Sequence, residues 1–233
     1  MIVKKFSKSN RSLASKENYN KLELIEGDIH DFKDVYEQMS NDFASEELKE
    51  YHHLKSLINS KKYKLILAKD QMIHRIVGYA FIYELEYLNA IWLDYIAIDK
   101  SFQNQGYGTH FIKKIAQSKD NLLGIFQEVE VPIEAKGSMR KNQLRRVNFY
   151  ERLGAQRLNF PYEFPTKQGG FPMDLYFRPS SNVQKLLKKE IQESISEVFR
   201  NIHSDVKNRD QILKGFFDSI QDERFILEES SYM

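Results

Sequence analysis

The chain has 233 residues, 35 Lys and Arg against 33 Asp and Glu, and no cysteine. That length holds one large domain, or one of about 150 residues with a smaller appendage. The near-balanced charge of +2 points to neither nucleic acid nor a membrane surface as partner. The missing cysteines exclude disulfides, thiolate metal sites and cysteine nucleophiles, and an apolar share of 41% with 16 Phe and 13 Tyr provides for a packed core.

Residues 1–20 are polar, rich in Ser, Asn and Lys, with no apolar run of the kind a secretory signal needs; a flexible arm is expected there. From Lys21 a short strand runs to Gly27, and Asp28 or Asp31 is placed to cap a helix carrying Phe32, Val35, Tyr36 and Met39 at helical spacing. A second helix is expected over Glu46 to Ser60. Three β-rich runs follow, YKLILAKD, RIVGYAFIYELE and NAIWLDYIAI, and read as an antiparallel meander. The most apolar window, residues 79–98, is interrupted by Glu84, Glu86, Asn89 and Asp94 and cannot span a bilayer, so a cytoplasmic protein is expected. Next come a turn with two glycines, a helix to about Ser118, a strand in LLGIFQEVEV, a helix ending at RLGA, and strands near 155–163 and 172–178, with PYEFPTKQGGFP as a loop between them. The fold class implied is α/β, a mixed central sheet flanked by helices over residues 21–179.

Residues 180–233 read as a C-terminal helical extension. Ser181 and Gln184 form a capping-box signature. Val183, Leu187, Ile191, Ile195, Val198 and Ile202 make one apolar stripe, and a second helix carries Ile212, Leu213, Phe216, Phe217 and Ile220. The resulting helical hairpin is expected to pack on the sheet domain, form a homodimer contact or hold a partner. Its acids slightly outnumber its bases, which argues against a DNA-reading pair.

The stretch IAIDKSFQNQGYGTHFIKKI passes from apolar alternation through Gly106 and Gly108 into a helix. A helix N-terminus offers unpaired N–H groups and a partial positive charge, so a glycine turn leading into it can take an anion, or can simply make a tight turn. Neither GxxxxGK[ST] nor GxGxxG is present. Asp94 lies in an otherwise apolar strand, where even-numbered Trp92, Asp94, Ile96 and Ile98 would share one face; a buried carboxylate there is either functional or paired with Arg145 or Arg146. Glu128 and Glu130 alternate with Phe126 on the next strand. Adjacent His52 and His53 cannot both face one site, His110 covers the first turn after the glycines, Trp92 and Tyr95 read as packing residues, and no metal site is expected.

LDYIAIDKSFQNQGYGTHFIKKI resembles the acyl-CoA segment of the GNAT superfamily of N-acetyltransferases, whose [RQ]xxGx[GA] signature is filled by Gln103, Gly106 and Gly108. RRVNFYERLGAQRL looks like the later FYE helix of the same family, in the family's order and separation. The family's usual Asn and Ala, seven and four residues before the tyrosine, are replaced by Gln143 and Arg146, with Asn142 adjacent; the arginine-bearing form with PYEFP and PMDLYF looks like a bacterial subgroup with ill-defined substrates.

The resemblance implies acetyl-CoA as co-substrate, without a metal. Its pyrophosphate would lie on the backbone of Gln103, Asn104, Gln105, Gly106, Tyr107, Gly108 and Thr109, and its pantetheine arm beside Ile96, Ala97 and Ile98. It also implies direct attack by a small-molecule or peptide amine, Tyr150 as general acid, and Asp94 or Glu128 as base, since a primary amine of pKa ~10.4 must lose a proton. Tyr162 and Phe164 would line the acceptor cleft. A catalytically inactive acyl-CoA-binding module, or a protein that works through its terminal hairpin, are the alternatives.

Overall fold

The computed structural model describes residues 22–43, 45, 47–132 and 138–226; the expected N-terminal arm lies outside them. In chain order, β1 (Leu22–Gly27), α1 (Ile29–Asp42) and α2 (Tyr51–Ile58) lead into the meander β2 (Tyr63–Asp70), β3 (Arg75–Leu85) and β4 (Ala90–Ile98). A short 3₁₀ turn, Lys100–Phe102, precedes α3 (Tyr107–Gln117), β5 (Gly124–Glu130) and α4 (Ser138–Glu151). Three strands close the sheet: β6 (Gln156–Arg157), β7 (Glu163–Thr166) and β8 (Gly169–Pro179). The extension contains β9 (Lys185–Leu186), α5 (Lys188–Asn201), α6 (Arg209–Phe217) and β10 (Glu223–Arg224).

Strand order in the main sheet is β1-β2-β3-β4-β5-β8-β6, with β7 on β8. Among the described residues only β4 and β5 run parallel, so the sheet is mixed, as the sequence indicates. One face carries α1 and α2, through Phe32, Met39 and Leu54, together with the terminal helices. The other carries α3, through Phe111, Ile112 and Ile115, with Phe149, Tyr150 and Leu153 of the α4 region beside them.

The N-terminus of α1 satisfies both readings at once: Asp28 accepts from the N–H groups of His30 and Asp31 at 2.7 and 3.0 Å, while the Asp31 carboxylate accepts from the Asp28 N–H at 2.9 Å. The second helix departs from expectation, beginning at Tyr51 rather than Glu46. Lys49 uses its backbone elsewhere: its N–H donates to the Tyr95 hydroxyl and its carbonyl accepts from Tyr36, both at 3.1 Å, so these groups hold the segment extended. PYEFPTKQGGFP, expected as a loop, is largely the β7–β8 hairpin, with Phe164 opposite Phe171 and Pro165 tolerated on an edge strand.

Two expectations for β4 and the extension are also corrected. Phe81 pairs with Tyr95 and Ile82 with Leu93, leaving Asp94 as the extra residue of a β-bulge. Side-chain alternation therefore resets: Trp92, Tyr95 and Ala97 face the α1 side, and Ile96 and Ile98 join Ile91 and Leu93 on the α3 side, so the four even-numbered residues do not share a face. In the extension, the Ser181 box does not start the helix, because Leu186 is buried in the β9–β10 ladder first. α5 begins at Lys188, where Glu190 accepts the Leu187 N–H at 2.7 Å, and Leu187 itself is 44% exposed rather than in the stripe.

Ile191, Ile195, Val198 and Ile202 are buried within the chain's own core. The stripe that could have served a dimer is thus used internally. Phe216 stacks on Phe160, with ring centroids 6.0 Å apart, and meets Tyr162 and Phe199 edge-on at 5.3 and 6.1 Å. Replacing Phe216 with Ala should therefore destabilise the whole chain by about 3–5 kcal/mol. Urea denaturation should show a single transition moved to lower concentration; a separate early transition would mean that the extension unfolds independently.

Candidate functional site

β4 and β5 pair only at Ile91–Ile125, Trp92–Phe126 and Leu93–Gln127, and separate beyond the bulge. The side of Tyr95–Ile98 that faces β5 is left without a strand partner, and a cleft of about 420 Å³ opens there. Its walls include Ile96, Ala97, Ile98, Gln103 and Gly108 on one side, Glu128 and Glu130 on another, with Tyr150, Phe164 and Asp94.

Gln103 and Gly108 of the glycine turn line the cleft. Gly106 has φ +89°, a left-handed conformation that glycine adopts without steric cost, and as N-cap it offers no side chain to the first-turn N–H groups of α3. Gly108 lies close under Phe149, where a Cβ would come within 3.3 Å of the ring. Gln103 donates its side-chain N–H to the Ile98 carbonyl at 2.9 Å, and Tyr107 donates its hydroxyl to buried Asp70 at 2.5 Å, so the turn is tied to β4 and β2. Asn104, at φ +61°, completes the bend. Gln105 is bonded away to the Ser101 carbonyl.

The carboxylates lie deeper. Asp94 pairs with neither Arg145 nor Arg146: its two oxygens accept from Lys49 Nζ at 2.9 and 3.2 Å, and Tyr63 donates at 2.5 Å. Both members of the pair are sealed, with side-chain exposures of 5% for Lys49 and 1% for Asp94. Arg146 instead bonds Glu130, at 2.6 Å. Glu128 accepts from the Tyr162 hydroxyl and from Trp92 Nε1, the latter at 3.3 Å. Burial, and then the neighbouring Asp94 charge, push its carboxyl up to about 7 against the opposing pull of Lys49. Burial pushes the Tyr150 phenol up to about 12, so it keeps its proton at neutral pH.

The structure thus brings Asp94, Glu128, Tyr150 and Phe164 to one cleft with Gln103 and Gly108, whereas Asn104, Gln105, Gly106, Tyr107 and Thr109 are not among the residues that line it. Tyr162 stands behind the wall, buried, and reaches the site through Glu128 rather than by lining it. Lys49 joins the site from 45 positions before Asp94, and no local pattern in the sequence marks it. His53 is bonded to the Ile202 carbonyl at 2.7 Å and paired with Asp205 at 3.2 Å, where it fastens α2 to the extension.

Because the Glu128 carboxyl is raised above its ordinary value, the fold favours its protonated form, and the stability this contributes is full at low pH and lost as pH rises to about 7. The stability difference between the native chain and Glu128→Gln should fall across that interval and level off above it. Denaturation midpoints for both chains from pH 4 to 9 would check this, and parallel curves would contradict it.

Residues 61–154 match the family model described as Acetyltransferase (GNAT) domain. The Bacillus subtilis protein named "Putative acetyltransferase YjbC" is 28% identical over 173 residues, covering 72% of this chain and 81% of that protein. A solved GNAT-family protein from Bacteroides thetaiotaomicron superposes with a TM-score of 0.62 at 22% identity, covering 77% of this chain and 97% of that one. A dodecameric spermidine N-acetyltransferase from Vibrio cholerae gives a TM-score of 0.51 at 16% identity, over 70% of this chain and 95% of its own.

Proposed function

Because the chain belongs to the GNAT superfamily of acetyltransferases, we propose that it transfers an acetyl group from acetyl-CoA to a primary amine, by direct attack with both reactants bound in the cleft between β4 and β5. The observation that carries this reading is the separation of those two strands beyond Leu93 and Gln127, which leaves the β5-facing side of Tyr95–Ile98 without a strand partner.

The residues present fit the co-substrate. The first-turn N–H groups of α3, beyond the uncapped Gly106, suit a pyrophosphate. The unpartnered side of Tyr95–Ile98 suits an extended amide-bearing arm added as a pseudo-strand, with Gln103 fixing the end of β4. Bound there, the co-substrate supplies an activated acyl carbon. A main-chain N–H near Ile96 stabilises the charge that develops on its oxygen, and holding the amine in the same cleft removes much of the entropic barrier.

Glu128 is the base. It lines the cleft, has no ion-pair partner among the described residues and holds a carboxyl that gains or loses a proton near neutrality, whereas Asp94 is committed to Lys49. Glu128 takes the proton leaving the amine as the C–N bond forms. Tyr150 gives its phenolic proton to the sulfur freed when the C–S bond breaks, and regains one from solvent. Phe164, with its ring on the cleft wall, packs against the acceptor. Asp42 and Glu47 line the cleft with Glu128 and favour a cationic small-molecule amine, while Arg146 neutralises Glu130 and Lys100 and Arg145 are the remaining basic residues of the lining.

Calorimetry with acetyl-CoA should show binding by the native chain and none by folded Gly106→Glu, which adds bulk, negative charge and backbone strain at the turn. CoA release over an amine panel should fall roughly 10²-fold or more in kcat for Glu128→Gln and for Tyr150→Phe. A folded native chain that fails to bind acetyl-CoA would overturn the reading.

A further inference from the structure

At the cleft wall, the ammonium group of Lys49 stands against the carboxyl groups of Asp94 and Glu128. Lys49 meets both oxygens of Asp94, and Tyr63 adds a third donor, so the hydrogen-bonding partners of Asp94 are those of a full carboxylate. Among the described residues, the donors to Glu128 are neutral, the Tyr162 hydroxyl and the Trp92 indole. We propose that Lys49 is a positioning residue: by holding Asp94 as the ionised member of the pair, it makes Glu128 the carboxyl that carries the exchangeable proton.

Lys49 is built to stay in place. Its backbone is held at both ends by Tyr95 and Tyr36. Its ammonium group sits 5.0 Å from the ring centroid of Tyr95 and 5.3 Å from that of Phe164. The groups facing the carboxyl pair are Lys49 from the segment between α1 and α2, Tyr63 from β2, Tyr95 from β4 and Tyr162 from the segment before β7. The extension contributes His203, which burial and the charge of Lys49 keep neutral, so it does not compete for Asp94. Arg146 and Glu130, one alternation further along β5, neutralise each other. Within this set Lys49 is the cation that meets Asp94, and the proton has one place to go.

The inference rests on the acyltransferase reading only in its kinetic arm. Removing the ammonium in Lys49→Met leaves two buried carboxyl groups to share one negative charge, and Glu128 should hold its proton more tightly. Removing the carboxylate charge in Asp94→Asn has the opposite effect, because Glu128 loses a repelling neighbour and the ammonium is released from its ion pair. The limb of kcat/KM against pH should move to higher pH in the first variant and to lower pH in the second, by about one unit each, a tenfold change in rate on the acid side of the limb. The double variant, which removes both charges, should return toward the native profile.

Carbon-13 NMR titration of the Glu128 carboxyl in the free protein reads the same shifts without any turnover. Shifts in opposite directions support the proposal. Unmoved titrations, shifts of the same sign, or an activity loss uniform across pH would overturn it and leave Lys49 a structural residue. If Lys49→Met does not fold, Asp94→Asn and the double variant decide. Absence of turnover with every amine would sink the acyltransferase reading, and the NMR titrations would still judge Lys49.

Discussion

An extra residue in β4 is the constraint from which the site follows. A regular ladder would send Asp94 and Tyr95 to opposite faces and would let β4 track β5 along its length. The bulge turns Asp94 toward the same side as Tyr95 and coincides with the end of β4–β5 pairing at Leu93. One local irregularity thus accompanies both the cleft and the buried carboxylate at its base. Burying that carboxylate without a counter-charge would be strongly unfavourable, so a cation must reach it. Lys49 does so from a segment that stays extended between two helices, held there by the hydroxyls of Tyr36 and Tyr95. The short second helix is therefore linked to the chemistry of β4.

The parts of the molecule that were legible in the sequence are those written in local pattern. The meander runs, the glycine turn, the Asp28 cap and the FYE helix each depend on residues within a few positions of one another. Asp94 stood out as a carboxylate in an apolar run, and its partner could not be named, because Lys49 lies 45 positions away in a stretch that reads as the start of a helix. Alternation along β4 misled for a related reason. A period of two holds only while the ladder is regular, and the sequence around Asp94 contains no glycine to announce a bulge. The sequence around Tyr162 suggests a residue lining the cleft, and only the fold shows that its hydroxyl turns inward to Glu128.

The terminal extension is tied to the same centre. Tyr162 packs between Phe199 and Phe216, with ring centroids 6.3 and 5.3 Å away, so the residue that bonds Glu128 is seated in aromatic side chains supplied by α5 and α6. His203 adds its ring edge-on to Phe164 on the cleft wall, at 4.9 Å. An appendage that served only to recruit a partner would keep its apolar stripe available, whereas this one uses Ile191, Ile195, Val198 and Ile202 to close the core behind the sheet.

That closure bears directly on proton chemistry. Burial is the largest of the influences raising the Glu128 carboxyl, and the wall that excludes water from its rear is built in part from the extension. A carboxyl open to solvent on both sides would ionise well below neutrality and would be a weak base. With one side closed by Tyr162 and its aromatic neighbours and the other open to the cleft, Glu128 can hold or release a proton near neutral pH. The helices beyond the sheet domain, the lysine beneath β4 and the bulge at Asp94 thus act on a single quantity, the proton affinity of one side chain.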